Sequence, residues 1–197
     1  GRIVFCEPTI PAREAAAAKI IAETGATLVH PYDDLRVMAG QGTATLELLE
    51  QAPDLDIIVS PVGGGGLIAG CAAAIGEGTK IVAVETEGTP TLHEALRAGR
   101  PVEVTISGIA ADALGASRIG VPNFEVAAKL VRESVLVNDD AVRKAQRALW
   151  EDLHVIAEPA GATGLAALMI GAYRPAPGER VATLICGANT EPGSVVR

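Results

Sequence analysis

The sequence SPVGGGGLIAG, residues 60–70, places four consecutive glycines between a β-branched run and a run of small residues. The preceding residues, IIVS, are typical of a buried strand, and the following GLIAGCAAAIG predicts a helix. Glycine loses more backbone freedom on folding than any other residue, so four in a row are costly unless a bare backbone is needed. We therefore expect a ligand that approaches the main chain closely at this point.

A strand, a glycine run and a helix in this order form a site for an anion. Glycines allow several backbone N–H groups to converge, and the helix N-terminus adds roughly half a positive charge. The pattern therefore predicts a bound phosphate group. The structural alternative is a tight turn where the helix packs on the strand, but one or two glycines would be enough for such a turn.

The glycine run also satisfies a dinucleotide-binding pattern. Gly64, Gly66 and Ala69 fit the G-x-G-x-x-G/A spacing, and Glu85 lies where an acid that binds a ribose hydroxyl belongs. That pattern normally occupies the first strand–turn–helix of its domain, whereas here at least one strand–helix–strand unit precedes it. A dinucleotide-binding oxidoreductase domain, with Gly64, Gly65, Gly66 and Glu85 at its site, stays open as an alternative.

Strands and helices alternate on both sides of the glycine run. Before it we predict strands at 3–8 and 27–31, a helix that begins near Pro11 and is ended by Gly25, a loop or short helical turn at 31–42 and a helix at 43–52 capped by Thr43. After it we predict strands at 80–85, 134–139 and 181–187 and helices at 91–99, at 140–153 with Asn138 as its cap, and at 159–173. Only 3% of the residues are aromatic and 49% are hydrophobic, a mixture that suits buried parallel strands covered by closely packed helices. The predicted fold class is α/β.

Composition excludes several kinds of partner. A net charge of −8 argues against nucleic acid and against an anionic membrane surface, and the apolar runs are too short and glycine-rich for a transmembrane helix. Three widely spaced cysteines are typical of a reducing compartment without a disulfide framework. We expect no signal peptide at the start of the chain. We expect a soluble, cytoplasmic enzyme.

The wider sequence resembles a known family. HPYDDLRVMAGQG (30–42), DLDIIVSPVGGGGLIAG (54–70), IAADAL (109–114), VLVNDDAVRKA (135–145), VIAEPAGATGLAAL (155–168) and LICGAN (184–189) follow in order the C-terminal part of threonine/serine dehydratases and serine racemases. These are fold-type-II enzymes that use pyridoxal 5′-phosphate. The resemblance implies an open, mostly parallel sheet with helices on both faces. It also implies that residues 1–31 finish a smaller α/β domain and that residues 32–197 supply most of the large, cofactor-binding domain.

The resemblance assigns roles to particular residues. Gly63, Gly64, Gly65 and Gly66, with the N–H of Leu67, would hold the cofactor phosphate, and any Cβ there would occupy the phosphate's space. Cys186 would hydrogen-bond the pyridine nitrogen, although a cysteine by itself is more often a buried apolar filler. Glu158 would lie near the cofactor ring, although an acid in the first turn of a helix is also common.

The chain departs from the family pattern in several places. Ala113 stands where the family has a glycine, and Ala188 replaces another glycine near the expected ring position. Some members bind a divalent cation through a glutamate that Glu85 matches, but Thr91 stands where the second acid would be. We therefore predict no metal site of that kind.

The family's Schiff-base lysine has no counterpart in this sequence. Lys19, Lys80, Lys129 and Lys144 are its only lysines, and all four read as solvated side chains. We expect that lysine upstream of Gly1, in a missing N-terminal segment or a separate chain, so that residues 1–197 contain no catalytic residue and are inactive alone.

For the whole enzyme the resemblance implies a homodimer that converts L-threonine or L-serine to a 2-oxo acid and ammonia by β-elimination. Serine racemase is the nearest alternative, because racemisation uses the same cofactor. A non-catalytic module derived from a dehydratase is a third possibility.

Overall fold

The computed structural model describes residues 2–7, 10–75 and 78–195. Contacts along the main chain divide the protein into two units, Gly1–His30 and Pro31–Arg197. The first unit contains helix α1 (Ile10–Thr24), which ends at Gly25 as predicted. The strands predicted at 3–8 and 27–31 are wrong: residues 3–7 and 27–31 lie outside any strand, and Pro8 lies outside the described residues. A strand forms only where a neighbour accepts its hydrogen bonds, and sequence pattern alone does not supply that neighbour.

The second unit alternates strands with helices. Its elements are α2 (Leu35–Gln51), β1 (Ile57–Pro61), α3 (Gly66–Ala74), β2 (Lys80–Thr86), α4 (Thr91–Ala98), α5 (Ala111–Leu114), α6 (Val121–Leu130), β3 (Val131–Val137), α7 (Asp139–Leu153), α8 (Pro159–Ile170), β4 (Val181–Thr183) and α9 (Pro192–Val195). The four strands form one parallel sheet in the order β3-β2-β1-β4. The predicted α/β class, with an open parallel sheet, is confirmed.

Helices cover both faces of this sheet. On one face Ile57 and Val59 of β1 pack with residues of α7 and α8, such as Val142 and Ala162. On the other face Ile58 packs with residues of α3, α4 and α6. Consecutive residues of β1 thus point to opposite faces, and all five of its residues are buried. A strand buried on both sides needs the continuous apolar run that β1 carries.

Helix α2 begins earlier than the sequence indicated. Its N-cap is Asp34, whose side chain accepts a hydrogen bond from the N–H of Arg36. Residues 35–42, predicted as a loop or short helical turn, therefore belong to a long helix, and the Thr43 cap is wrong, while residues 31–34 do lie outside any helix. Gly40 and Gly42 read as loop residues, but a Cβ on Gly42 would come within 2.7 Å of the Gly70 carbonyl oxygen on α3. Gly42 therefore allows two helices to approach closely, a packing role that mimics a loop signal in sequence.

Two further elements differ from the predictions. Helix α6 begins after Gly120 in a region that carried no helix prediction. Strand β4 ends at Thr183, three residues before Cys186, and so is shorter than predicted. No helix among the described residues is long and apolar enough to cross a membrane.

Candidate active site

The glycine loop, defined here as residues 63–67, follows the carboxyl end of β1. The chain runs outward from β1 to β2 and β3, and then returns to place β4 on the other side of β1. The connections therefore change direction between β1 and β4, and in open α/β sheets ligands bind outside the carboxyl ends of the strands at such a point. The segments after β1 and β4 carry the glycine loop and Cys186, so the topology brings the predicted site residues to one edge.

The main-chain N–H groups of the glycine loop are available to a ligand. None of the N–H groups of residues 63–67 has a hydrogen-bond acceptor in the described part of the chain, although Gly65 and Gly66 are buried. Buried N–H groups are nearly always paired in folded proteins, so a row of unpaired ones indicates an acceptor that comes from outside the chain. They lie at the N-terminus of α3, where the helix adds partial positive charge. A phosphate group satisfies both conditions.

Three glycines of the loop lie so close to neighbouring residues that the protein's own packing requires them. A Cβ on Gly64 would collide with the Tyr32 ring, and one on Gly63 would lie 3.1 Å from the Cα of Leu114. Gly65 has a φ of +89° and a Cβ there would lie 2.7 Å from Ile119. A side chain at any of these three positions would therefore meet neighbouring residues of the chain, and the expectation that it would also occupy the phosphate's space stays a prediction.

Glu85 is fully buried and is bound to the start of α4. Its two carboxylate oxygens accept hydrogen bonds from the N–H groups of Leu92 (2.8 Å) and His93 (2.7 Å). Burial raises the pKa of Glu85 to about 7, against the lowering effect of these hydrogen bonds. A carboxylate held inside the protein in this way cannot bind a ribose hydroxyl, so the geometry does not support the dinucleotide alternative.

Thr91 connects Glu85 to the glycine loop. Its hydroxyl oxygen lies 2.6 Å from the carbonyl oxygen of Gly63 and 3.0 Å from Oε1 of Glu85. A hydroxyl has only one hydrogen to donate, and the shorter distance assigns it to Gly63. Thr91 therefore holds the Gly63 carbonyl while its hydroxyl oxygen stays within 3.0 Å of Oε1 of Glu85.

Cys186 and Glu158 lie near each other after β4 and before α8. Burial raises the pKa of the Cys186 thiol, and the Glu158 carboxylate raises it further. Glu158 accepts a hydrogen bond from the N–H of Asn189 at 3.0 Å and donates its own N–H to the Gly187 carbonyl at 3.0 Å. Gly187 has a φ of +77°, and a Cβ there would collide with the Glu158 carboxylate. These contacts fix the Glu158 side chain against the chain segment that carries Cys186.

A cavity of about 240 Å³ opens beside Glu158. It is lined by Ile109, Asp112, Ala113, Glu158, Pro159, Asn189 and Thr190. Ala113 belongs to α5, whose last residue, Leu114, abuts Gly63 of the glycine loop. The structure therefore brings Glu158 and Ala113 to one cavity and connects that cavity to the glycine loop through α5. Cys186 is half-buried and is not among the residues that line it.

The four lysines of the sequence lie at the protein surface. Lys19, Lys80, Lys129 and Lys144 are all exposed, and none of them lines the cavity beside Glu158. Lys19 forms a weak ion pair with Glu23 on α1 at 3.9 Å. Their positions agree with the solvated side chains that the sequence predicts.

A family model described as pyridoxal-phosphate dependent enzyme matches residues 1–187. The chain belongs to this family. A pyridoxal phosphate carries one phosphate group, which the unpaired N–H groups of the glycine loop fit, and one aromatic ring.

Individual relatives extend the comparison. The chain is 37% identical over 202 residues to a serine racemase of Arabidopsis thaliana, covering 99% of this chain and 61% of the racemase. It is 40% identical over 185 residues to an L-threonine ammonia-lyase of Thermotoga maritima, covering 92% of this chain and 46% of the lyase. The solved structure of maize serine racemase superposes with a TM-score of 0.92 at 34% identity, over 99% of this chain and 61% of that one. The chain thus spans about half to three fifths of these relatives.

Sequence reasoning missed the residues that pack against the glycine loop. Tyr32, Ile119 and Asn123 all lie within about 3 Å of a Cβ placed on one of its glycines. They lie 32 to 58 positions along the chain from the glycines that they approach, and no local pattern connects them to the loop. The only available signal was the length of the glycine run, which exceeds what a simple turn needs.

Proposed function

We propose that this chain is part of a pyridoxal-phosphate-dependent ammonia-lyase that converts L-threonine or L-serine to a 2-oxo acid and ammonia. The observation that carries the proposal is the row of unpaired N–H groups at residues 63–67, which α5 connects to a cavity lined by Glu158. The family match and the 40% identical ammonia-lyase support it. The proposal also includes a homodimer and a cytoplasmic location. Three free cysteines support the location, because they suit a reducing compartment.

The glycine loop would hold the cofactor's phosphate. Gly63, Gly64, Gly65, Gly66 and Leu67 would donate main-chain hydrogen bonds to a dianion, and such charge-assisted bonds are about twice as strong as neutral ones. The N-terminus of α3 adds its partial charge at the same place. These residues bind and orient; none of them exchanges a proton with the substrate.

When bound, pyridoxal phosphate supplies a ring that withdraws electrons from the substrate's α-carbon. The raised pKa keeps the Cys186 thiol protonated near neutral pH, so it would offer the ring nitrogen a weak, uncharged donor. Glu158, fixed by Asn189 and Gly187, would form one wall of the ring's cavity. A weak donor leaves the ring a modest electron acceptor, which suits the loss of a β-hydroxyl.

We also propose that the lysine that moves the α-proton comes from outside residues 1–197. The four lysines present are exposed, and the relatives are longer than this chain. Borohydride reduction of the full-length holoenzyme, followed by peptide mass spectrometry, should fix the cofactor to a lysine outside this range. Labelling of Lys19, Lys80, Lys129 or Lys144 instead would refute this part of the proposal.

The reaction itself is tested on the full-length protein with pyridoxal phosphate. L-threonine and L-serine should each yield ammonia and a 2-oxo acid in equal amounts, measured by a coupled dehydrogenase assay. Serine racemase is the second candidate, favoured by the 37% identical plant racemase, and chiral chromatography for D-serine distinguishes the two. The absence of both products, with cofactor bound, would leave only the non-catalytic module.

A further inference from the structure

Two side chains from outside the glycine loop hold consecutive carbonyl groups of that loop. The hydroxyl of Thr91, at the start of α4, donates to the carbonyl oxygen of Gly63 at 2.6 Å. The carboxamide Nδ2 of Asn123, in the first turn of α6, donates to the carbonyl oxygen of Gly64 at 2.9 Å. The N–H of Gly120 donates to the same Gly64 oxygen at 3.1 Å. Two helices therefore determine which way these two carbonyls point.

The direction of a carbonyl determines the direction of the next N–H. A trans peptide unit is planar, and its C=O and N–H bonds point in opposite directions. The described residues contain no cis peptide bond. Because the Gly63 oxygen points to Thr91, the N–H of Gly64 points away from α4. Because the Gly64 oxygen points to Asn123, the N–H of Gly65 points away from α6.

Asn123 is placed so that this arrangement is rigid. Its side chain is fully buried, and its second amide hydrogen is donated to the carbonyl oxygen of Tyr32 at 2.9 Å. Both donors of the carboxamide are thus used to hold main-chain oxygens. Thr91 is also fully buried. A glycine run free of such contacts would populate many peptide orientations, because glycine has the widest backbone freedom.

We propose that Thr91 and Asn123 are positioning residues that orient the N–H groups of Gly64 and Gly65 toward the cofactor's phosphate. The inference rests on the proposed function, in which the glycine loop binds that phosphate. Neither side chain contacts the ligand; each acts through the carbonyl that it holds. The ordering of the loop then occurs during folding instead of during binding, which strengthens binding.

The test compares two ligands that differ only in the phosphate. Pyridoxine 5′-phosphate and pyridoxine both lack the aldehyde, so neither forms a covalent bond with a lysine. Calorimetric titration of the full-length protein gives the dissociation constant of each. Asn123→Leu and Thr91→Val should each weaken binding of the phosphate form roughly five- to tenfold, the equivalent of one lost hydrogen bond. Binding of pyridoxine should stay unchanged.

Thr79→Val is the matched control. The Thr79 hydroxyl donates to the Leu55 carbonyl at 2.7 Å, at the amino end of the sheet, so this substitution removes the same kind of bond away from the glycine loop. It should lower stability without changing the affinity ratio of the two ligands. Thr91→Val alone decides the question if Asn123→Leu does not fold.

Each result has one reading. Wild-type affinity for the phosphate form in Thr91→Val and Asn123→Leu overturns the inference, and so does an equal loss for both ligands, which would mean a structural role only. If the wild-type protein does not bind the phosphate form more tightly than pyridoxine, the proposed function itself fails. That result is distinct from a failure of the positioning role, which only the variants test.

Discussion

Replacing Gly65 by alanine tests why the glycine loop needs glycine. Gly65 has a φ of +89°, in the left-handed region, which costs a residue with a Cβ roughly 1–2 kcal/mol. The added methyl would lie 2.7 Å and 2.8 Å from two side-chain carbons of Ile119. Overpacking of this kind costs about 1–3 kcal/mol. The free energy of unfolding should therefore fall by roughly 2–5 kcal/mol, a large part of the total for a domain, which is about 5–15 kcal/mol.

Gly178→Ala separates the two contributions. Gly178 has the same φ of +89°, but nothing lies within 4 Å of a Cβ placed there. Urea unfolding followed by circular dichroism should give a loss of about 1–2 kcal/mol for this control, from backbone strain alone. The difference between the two variants measures the collision with Ile119. If Gly65→Ala and Gly178→Ala lose the same free energy, the packing argument for the glycine loop is refuted.

Three further outcomes follow from single residues. Burial raises the pKa of Glu85 from 4.5 to about 7, so the folded protein keeps a proton that the unfolded chain releases, and stability falls as pH rises through this window. Urea unfolding should show that the free energy of unfolding falls between about pH 5 and about pH 8, by up to about 3 kcal/mol more in the wild type than in Glu85→Gln. Equal decreases in the two proteins would contradict the pKa shift of Glu85. Gly70→Ala should lower the free energy of unfolding by about 2–4 kcal/mol in the same assay, because its Cβ would collide with the Met38 carbonyl on α2. A change near zero would mean that α2 and α3 can move apart without cost. Cys186 should react with iodoacetamide more slowly than exposed Cys6, because burial raises the pKa of Cys186 and lowers its thiolate fraction. Peptide mass spectrometry measures both rates, and equal rates would contradict this expectation.

Local sequence was sufficient where an element's own residues determine it. The β-branched run before the glycines forms β1, and Asn138 caps α7 by accepting a hydrogen bond from Ala141 at 2.9 Å, as predicted. Pro159 begins α8, also as predicted. Caps and buried strands carry their signals within a few positions, so the pattern was enough.

Local sequence failed where distant residues decide. The glycines of α2 indicated a loop, but Gly42 contacts Gly70 on α3, a residue of another helix that no local pattern shows. The strands predicted at 3–8 and 27–31 have the right composition but no partner in the described structure. Composition gives a segment a preference for a conformation, and neighbours determine whether the segment adopts it.

The sequence by itself determined the α/β class, the position of the glycine loop and, through its resemblance, the family. The tertiary structure decided what surrounds that loop. Thr91 and Asn123 reach its carbonyls from two helices, and Tyr32 and Ile119 pack where side chains on its glycines would lie. Hydrogen bonds and collisions depend on distances in space, and residues far apart along the chain acquire those distances only when it folds.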